Sequence, residues 1–429
     1  MTKQQLIKRI RQFISESPTQ FHVVESMVKV LKENGFSELE EKNSWKLKKG
    51  NKYFIIRGAS IIAFVMGKNS LPENGYRIVG AHTDSPGLKI KPCPEKYFKD
   101  YLSLGVETYG GPILSSWFDR DLSIAGRVNF IDKKKHLHEL LVDFKKPVAI
   151  IPNLAIHLNQ PRDSKKNINK QTELPPLIMQ ISSDASRKKI TFKDILIKEL
   201  KKSHIDLKGG TILDFDLWLY DTQPAALVGL QQEFLVGARI DNLLSCFTGL
   251  MALLESGQQN TSVLVCNDHE EVGSASNTGS AGPFLKHVLE RICKNREDFL
   301  RTISQSILIS NDNAHGVHPN YAAKHDENHG PLLNHGPVIK INANQRYATN
   351  SQTGAYFRSV CNEAKVPVQD FIVRSDMACG STIGPITATN LGVKTLDIGA
   401  PTFAMHSIRE TCGVEDIVYL TKALKQFFQ

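Results

Sequence analysis

The stretch Ser262-Val-Leu-Val-Cys-Asn-Asp-His-Glu-Glu-Val-Gly-Ser274 constrains this chain more than any other. Val263 to Cys266 is an unbroken apolar run, rich in β-branched residues and followed by glycine and serine, so it reads as a strand buried on both faces. The run ends in Asp268, His269, Glu270 and Glu271. Adjacent carboxylates at the mouth of a buried strand cost free energy unless something pairs with them. In an extended chain neighbours point to opposite faces, which gives Glu270 and Glu271 different tasks. A metal ion holds one, and the other stands free to take a proton from water at that metal. Taken alone, the stretch reads equally well as a solvated acidic loop. The other acidic and histidine residues decide between the two.

The chain has 429 residues, enough for one large or two medium domains. Its 41% hydrophobic and 23% charged content is that of an ordinary soluble globular protein. No apolar run approaches the ~20 residues of a membrane-spanning helix. The N-terminus, Met1 to Ile10, lacks the apolar core of a signal peptide. The 7 cysteines are scattered without a Cys-x-x-Cys pair, which suits a reducing cytoplasm and argues against a disulfide framework. A net charge of +9 raises the question of nucleic acid. The lysines fall in short clusters, at 133–135, 145–146, 165–166, 188–189 and 201–202, without a recognition motif. They read as solvated faces, and neither nucleic acid nor membrane is expected as a partner.

Helical periodicity opens the chain, with Leu6, Ile7, Ile10, Phe13 and Ile14 on one face and a second helix from Gln20 to Asn34. Tyr76 to Ala81 is a buried strand running into His82-Thr-Asp84. From residue 93 to about 232, short strand-like runs are separated by turns and lysines, with a polar loop over 161–176. Helix–strand alternation then resumes. An amphipathic helix starts at Asp241, Ser306 to Ser310 leads to Asp312, and Val393 to Gly399 is followed by His406. The expected fold class is α/β. A catalytic domain with a central mixed β-sheet flanked by helices, residues 1–92 and 233–429, is interrupted by an inserted β-rich domain, residues 93–232.

Apolar strands thus end in His82 with Asp84, in Glu270 with Glu271, in Asp312 and, a few residues on, in His406, with Asp241 opening a helix nearby. Sites in open α/β sheets form outside the carboxyl ends of the strands. The set His82, Asp241, Glu271, Asp312 and His406 carries too much negative charge to bury without cations. It suits zinc in a hydrolytic site. A shared carboxylate, with one histidine and one further carboxylate per ion, suits two metals roughly 3.5–4 Å apart. Asp84 is placed to accept the other N–H of the His82 imidazole, and Glu270 is the natural general base.

His82-x-Asp84, Asp241-Asn242, Asp268-x-Glu270-Glu271-Val-Gly-Ser, Ala314-His-x-Val-His-Pro-Asn-Tyr321 and Met405-His-Ser-Ile-Arg-Glu410 resemble the aspartyl aminopeptidases, a family of two-zinc exopeptidases. Val106-Glu-Thr-Tyr-Gly-Gly111, Trp117-Phe-Asp-Arg-Asp-Leu122, Ala155-Ile-His157-Leu158, Gly336-Pro-Val-Ile-Lys340 and Cys379-Gly-Ser-Thr-Ile-Gly-Pro385 extend the resemblance, in order, over nearly the whole chain. It implies that the inserted domain dimerises and that dimers assemble further, often to dodecamers. It also implies that Asp241 bridges two zinc ions, with His82 and Asp312 on one and Glu271 and His406 on the other. A water held by the zincs would attack the first carbonyl of a peptide with a free N-terminus, with Glu270 as base. The family favours N-terminal Asp and Glu, and its matching lysine makes Lys340 the expected cation for that side chain; a surface lysine closing a strand is the alternative. The histidine matching His157 approaches the active site of a neighbouring subunit in the family. His315 either lines the substrate cleft or braces its loop. Two rival functions stay open: another two-metal hydrolase, such as a carboxypeptidase or deacylase, and a non-catalytic binding or assembly protein. His325-Asp-Glu-Asn-His329 has histidines at helical spacing but lacks glutamate directly after the first, so it reads as surface.

Overall fold

The computed structural model describes residues 1–158, 167–181, 190–202, 207 and 209–429. The lysine pairs at 165–166 and 188–189 and the first part of the polar loop, 161–166, lie outside the described residues. The chain divides into two compact units: Met1–Ser85 with Ala225–Met405 and Arg409–Gln429, and Pro86–Pro224 with His406–Ile408.

In the first unit a nine-stranded sheet has the order Ser37–Glu38, Lys52–Arg57, Ser60–Val65, Thr261–Asn267, Tyr76–His82, Ile307–Asn311, Lys394–Gly399, Val338–Lys340 and Gln369–Phe371. Thr261–Asn267, Tyr76–His82, Ile307–Asn311 and Lys394–Gly399 run parallel, so their carboxyl ends share one edge. Ser60–Val65 and Val338–Lys340 pair with this block antiparallel, which makes the sheet mixed, as expected. Side chains alternate across a strand, and the run at 261–267 uses that period to fill two cores. Leu264 and Cys266 pack with helices Lys3–Glu16, Gln20–Glu33, Ile240–Leu254 and Val414–Phe427. Val263 and Val265 face the other way, toward helices Phe284–Ile292 and Arg296–Gln305. All four are at most 1% exposed, so burial on both faces is what the sequence pattern implied. A five-stranded sheet of Ala226–Val228, Phe234–Gly237, Glu410–Gly413, Pro401–Phe403 and Ala314–His315 completes this unit.

The second unit is a six-stranded antiparallel sheet ordered Leu137–Asp143, Leu122–Ile131, Thr211–Asp221, Gly87–Phe98, Tyr101–Tyr109 and Leu177–Gln180. Helix Phe192–Lys202 buries Phe192, Leu196 and Leu200 in its core. The units part at 85/86 and 224/225, earlier than the expected 92/93 and 232/233. Pairing is the reason. Gly87 and Ile90 are already laddered to Tyr109 and Val106 in the second unit, and Ala226–Val228 pairs with Phe234–Gly237 in the first. Lys133–Lys135, Lys145–Lys146 and Lys201–Lys202 are exposed, in keeping with solvated faces. Among the described residues, no helix is long and apolar enough to cross a membrane.

Candidate active site

His82 is the last residue of strand Tyr76–His82, and Asp312 follows strand Ile307–Asn311. Asp312 is held close to the neighbouring strand, its N–H donating to the Ile398 carbonyl at 2.9 Å. Gly399 permits that approach, because a Cβ there would stand 1.9 Å from the Asp312 carbonyl oxygen. Asp241 lies in the first turn of Ile240–Leu254, but its φ of −82° and ψ of 106° are not helical. Its N–H donates to the buried Glu410 carboxylate at 2.8 Å, and its carbonyl accepts the Ser85 hydroxyl at 2.7 Å. Glu410 stood in a quoted motif without a role; its sequence neighbourhood carries no signal for this bond across 169 positions.

Glu270 and Glu271 are not extended. They open a 3-10 turn, Glu270–Val272, entered at His269 (φ 65°) and left at Gly273 (φ 92°). The alternation argument for their separate roles therefore fails, and a tight turn presents both. Asp84 supplies the anchor: its carboxylate accepts the N–H of Glu270 at 3.2 Å and of Glu271 at 3.1 Å. Toward His82, Asp84 offers its backbone carbonyl at 3.0 Å from Nδ1 and its carboxylate at 3.4 Å. Asp84 thus contacts the imidazole and also clamps the glutamate turn.

Nε2 of His82 lies 3.5 Å from Asp241 Oδ1, 3.5 Å from Asp312 Oδ1 and 4.0 Å from Glu270 Oε2. His82 with Asp241 and Asp312, and His82 with Glu270 and Glu271, each bring one donor atom apiece within 4.8 Å of one another. Burial pulls the His82 pKa down, but the hydrogen bonds to Asp241, Asp312 and Asp84 outweigh it and hold the group well above its ordinary range. Burial pushes Glu270 up to about 8; His82 opposes this and the charges of Asp312, Asp84 and Asp241 add to it. Glu271 is driven well above the usual carboxylate range by burial and then by Asp241. One imidazole does not balance this concentration of carboxylates. A divalent cation does, and reverses the upward push on the acids. Histidine nitrogen with carboxylate oxygens is a zinc-type donor set, so the residues fit that metal.

His406 belongs to the second unit, where its Nδ1 lies 3.1 Å from the Gly111 carbonyl. His157 sits exposed in a turn of the same unit. Lys340 is 2% exposed, not a surface lysine. Its ammonium donates to the Asn313 carbonyl at 3.1 Å and to Asp312 at 3.4 Å, and lies 5.2 Å over the Tyr347 ring. His315, His318, Tyr321, His325, Phe371 and Arg374 line a cavity of about 320 Å³. The surrounding protein, and then the Lys340 charge, hold the His315 pKa below its ordinary range, so the ring is neutral at pH 7. His325 lines this cavity, and His329 pairs with Asp326 at 2.7 Å.

A parallel-stranded α/β unit with such a donor set at its carboxyl edge defines a metal-dependent hydrolase. The family model described as aminopeptidase I zinc metalloprotease (M18) matches residues 13–428. The probable M18 family aminopeptidase 2 of Ectopseudomonas mendocina is 54% identical over 427 residues, covering 99% of this chain and 98% of the relative. Its counterpart in Pseudomonas entomophila is 54% identical over 419 residues, 97% of this chain and 96% of the relative. Among solved structures, a chain of the cryo-EM Ape4 and Nbr1 complex has a TM-score of 0.94 at 39% identity, covering 99% of this chain and 86% of that one. The S. cerevisiae mApe1 dodecamer gives 0.84 at 28%, covering 98% and 95%. The chain belongs to the M18 family of zinc metalloprotease aminopeptidases. It is a hydrolase that removes residues from peptide amino ends.

Proposed function

We propose that this aminopeptidase uses two zinc ions per subunit and prefers peptides that begin with aspartate or glutamate. The observation that carries the reading is the meeting of His82, Asp241, Glu270, Glu271 and Asp312 at the carboxyl edge of the parallel strands. By the resemblance to aspartyl aminopeptidases, His82, Asp312 and Asp241 would hold one ion, and Asp241, Glu271 and His406 would hold the other. Zinc there supplies Lewis-acid charge for a carbonyl oxygen and makes water acidic enough to react near neutral pH. Glu270 takes the proton of the attacking water and delivers it to the leaving amine. Asp84 keeps both glutamates and His82 in register through the bonds described above.

Lys340 provides positive charge for the acidic side chain of the substrate, with neutral His315 as a hydrogen-bonding wall. A charge-assisted contact of that kind contributes about 1.5–3 kcal/mol, roughly ten- to a hundredfold in preference. Because Lys340 also pairs with Asp312, its loss acts on two things. Lys340→Met is expected to lower rates on Asp and Glu peptides far more than on Ala or Leu peptides. An equal fall in both classes assigns Lys340 to Asp312 alone. Subunits form dimers that assemble further, up to the dodecamer named for the S. cerevisiae relative; by the resemblance to aspartyl aminopeptidases, His157 reaches a neighbouring subunit. The seven cysteines are all free, which supports a cytoplasmic setting. The test is a rate profile over free and N-acetylated peptides with Asp, Glu, Ala and Leu first. The reading predicts free Asp and Glu peptides as best substrates and no turnover of acetylated ones. Cleavage of acetylated peptides would favour a deacylase or carboxypeptidase.

A further inference from the structure

The hairpin joining strands Leu122–Ile131 and Leu137–Asp143 gathers a second group of metal-ligating side chains, Asp132, His136 and His138, outside the catalytic cluster. One donor atom from each lies within 4.8 Å of the others. His138 Nε2 is 2.9 Å from Asp132 Oδ2, and His136 Nδ1 is 3.5 Å from the same oxygen. Two donors on one ion at about 2.0–2.1 Å stand about 2.9 Å apart at a right angle and about 3.4 Å apart at the tetrahedral angle. The 3.5 Å spacing is close to the tetrahedral one, and the 2.9 Å contact is a His138–Asp132 hydrogen bond that a shared ion would replace at nearly the same spacing.

The group is built rather than fortuitous. Strand register puts His138 opposite Phe130, and the two rings stack at 5.0 Å and 21°. Asp132 Oδ1 accepts the His136 N–H at 2.9 Å, which fixes the carboxylate and turns Oδ2 toward the imidazoles. The turn is closed by Asp132 N–H to the His136 carbonyl at 3.0 Å and by Lys135 N–H to the Asp132 carbonyl at 3.0 Å. The Asp132 side chain is 7% exposed, His138 28% and His136 69%, so the group is open to solvent on its His136 side.

We propose that Asp132, His136 and His138 bind a zinc-class divalent cation, separate from the catalytic metal and closing this hairpin. Two imidazoles and one carboxylate favour zinc, nickel or copper over magnesium or calcium, which prefer all-oxygen sites. Three protein ligands leave a coordination position for water. The intervening Lys133-Lys134-Lys135 is exposed and offers trypsin its targets between two of the ligands. That supplies a local readout independent of catalysis.

The experiment is limited trypsin digestion of the full-length enzyme at neutral pH, with and without added zinc chloride, mapping cleavage at residues 133–135. His136→Ala, at the most exposed ligand, is the control. The wild type is expected to gain at least a tenfold slowing of cleavage at these lysines with zinc, together with one further zinc ion per chain by metal analysis. His136→Ala is expected to fold, keep its peptidase activity and show neither effect. Equal cleavage with and without zinc in the wild type overturns the proposal. So does equal protection in wild type and variant, which would mean zinc acts elsewhere or on trypsin.

Discussion

The proposed catalytic cluster and the hairpin cluster bring together the same side-chain types in opposite ways. The first draws His82, Asp241, Glu270, Glu271 and Asp312 from four segments far apart in sequence, burying His82, Asp241 and Asp312 and half-burying the two glutamates. The second takes Asp132, His136 and His138 from one turn and leaves it open to solvent. Burial is the difference that matters. In the first cluster, burial and then the neighbouring carboxylates push Glu270 and Glu271 up the pKa scale. In the second, the His138 hydrogen bond and the His136 N–H hold Asp132 down at about 2, so it is satisfied without an ion. A buried, non-local cluster therefore needs its cation, whereas an exposed local one only accepts it.

Metal removal separates the two most sharply. Dialysis against a chelator is expected to abolish peptidase activity and lower the melting temperature, since an ion at 1,000 times its Kd stabilises by about 4 kcal/mol. Zinc should restore both, in wild type and His136→Ala alike. Failure to lose stability would show that the buried carboxylates tolerate one another unaided. Leu264→Ala, beneath the cluster in a fully buried strand, is expected to cost about 2–5 kcal/mol by denaturant midpoint. A cost under about 1 kcal/mol would mean the strand repacks and does not hold the site rigidly.

Asp84→Asn is a finer probe, because it weakens the clamp on the Glu270–Glu271 turn and leaves the ligands in place. Metal affinity is expected to fall about 10–100-fold by competition with a chelating dye. Unchanged affinity would reduce Asp84 to a spectator.

The smallest effect belongs to the second unit's Asp216, paired with Lys89 at 2.7 Å and Arg127 at 2.9 Å. Burial raises its pKa, but those two partners outweigh it and hold the group below its ordinary value. A depressed carboxylate contributes stability above its unfolded pKa and loses it as pH falls through the lower folded one. Wild type should therefore exceed Asp216→Asn by less than about 1 kcal/mol at pH 6, with the gap closing toward pH 3. A gap that widens on acidification would refute the assignment.

Much of this is legible because most of the proposed ligands end or closely follow an apolar run. His82, Glu271 and Asp312 could be placed from the strands before them, and the parallel block brought them to one edge. What resisted reading is non-local or depends on turn geometry. Nothing near Glu270 announces that His269 adopts φ 65° and bends the glutamates out of a strand. The second task of Asp84 spans 186 positions, and the pairing of Lys340 with Asp312 joins the end of strand Val338–Lys340 to the segment after Ile307–Asn311. The Asp132-x-x-x-His136-x-His138 spacing is open in the sequence, but the lysines between its members present a charged turn rather than a ligand pattern. The early boundary at 85/86 could be drawn only once Gly87–Phe98 was seen paired.

The account rests most heavily on Glu270 as a base that is not a ligand. Glu270→Gln preserves size and removes the proton acceptor, so zinc content and turnover of an N-terminal Asp peptide should be measured on the same preparation. Full zinc content with turnover lowered roughly 10²–10⁴-fold is the predicted result. Near-normal turnover would remove Glu270 from the reaction, and loss of zinc along with activity would make it a ligand rather than the base.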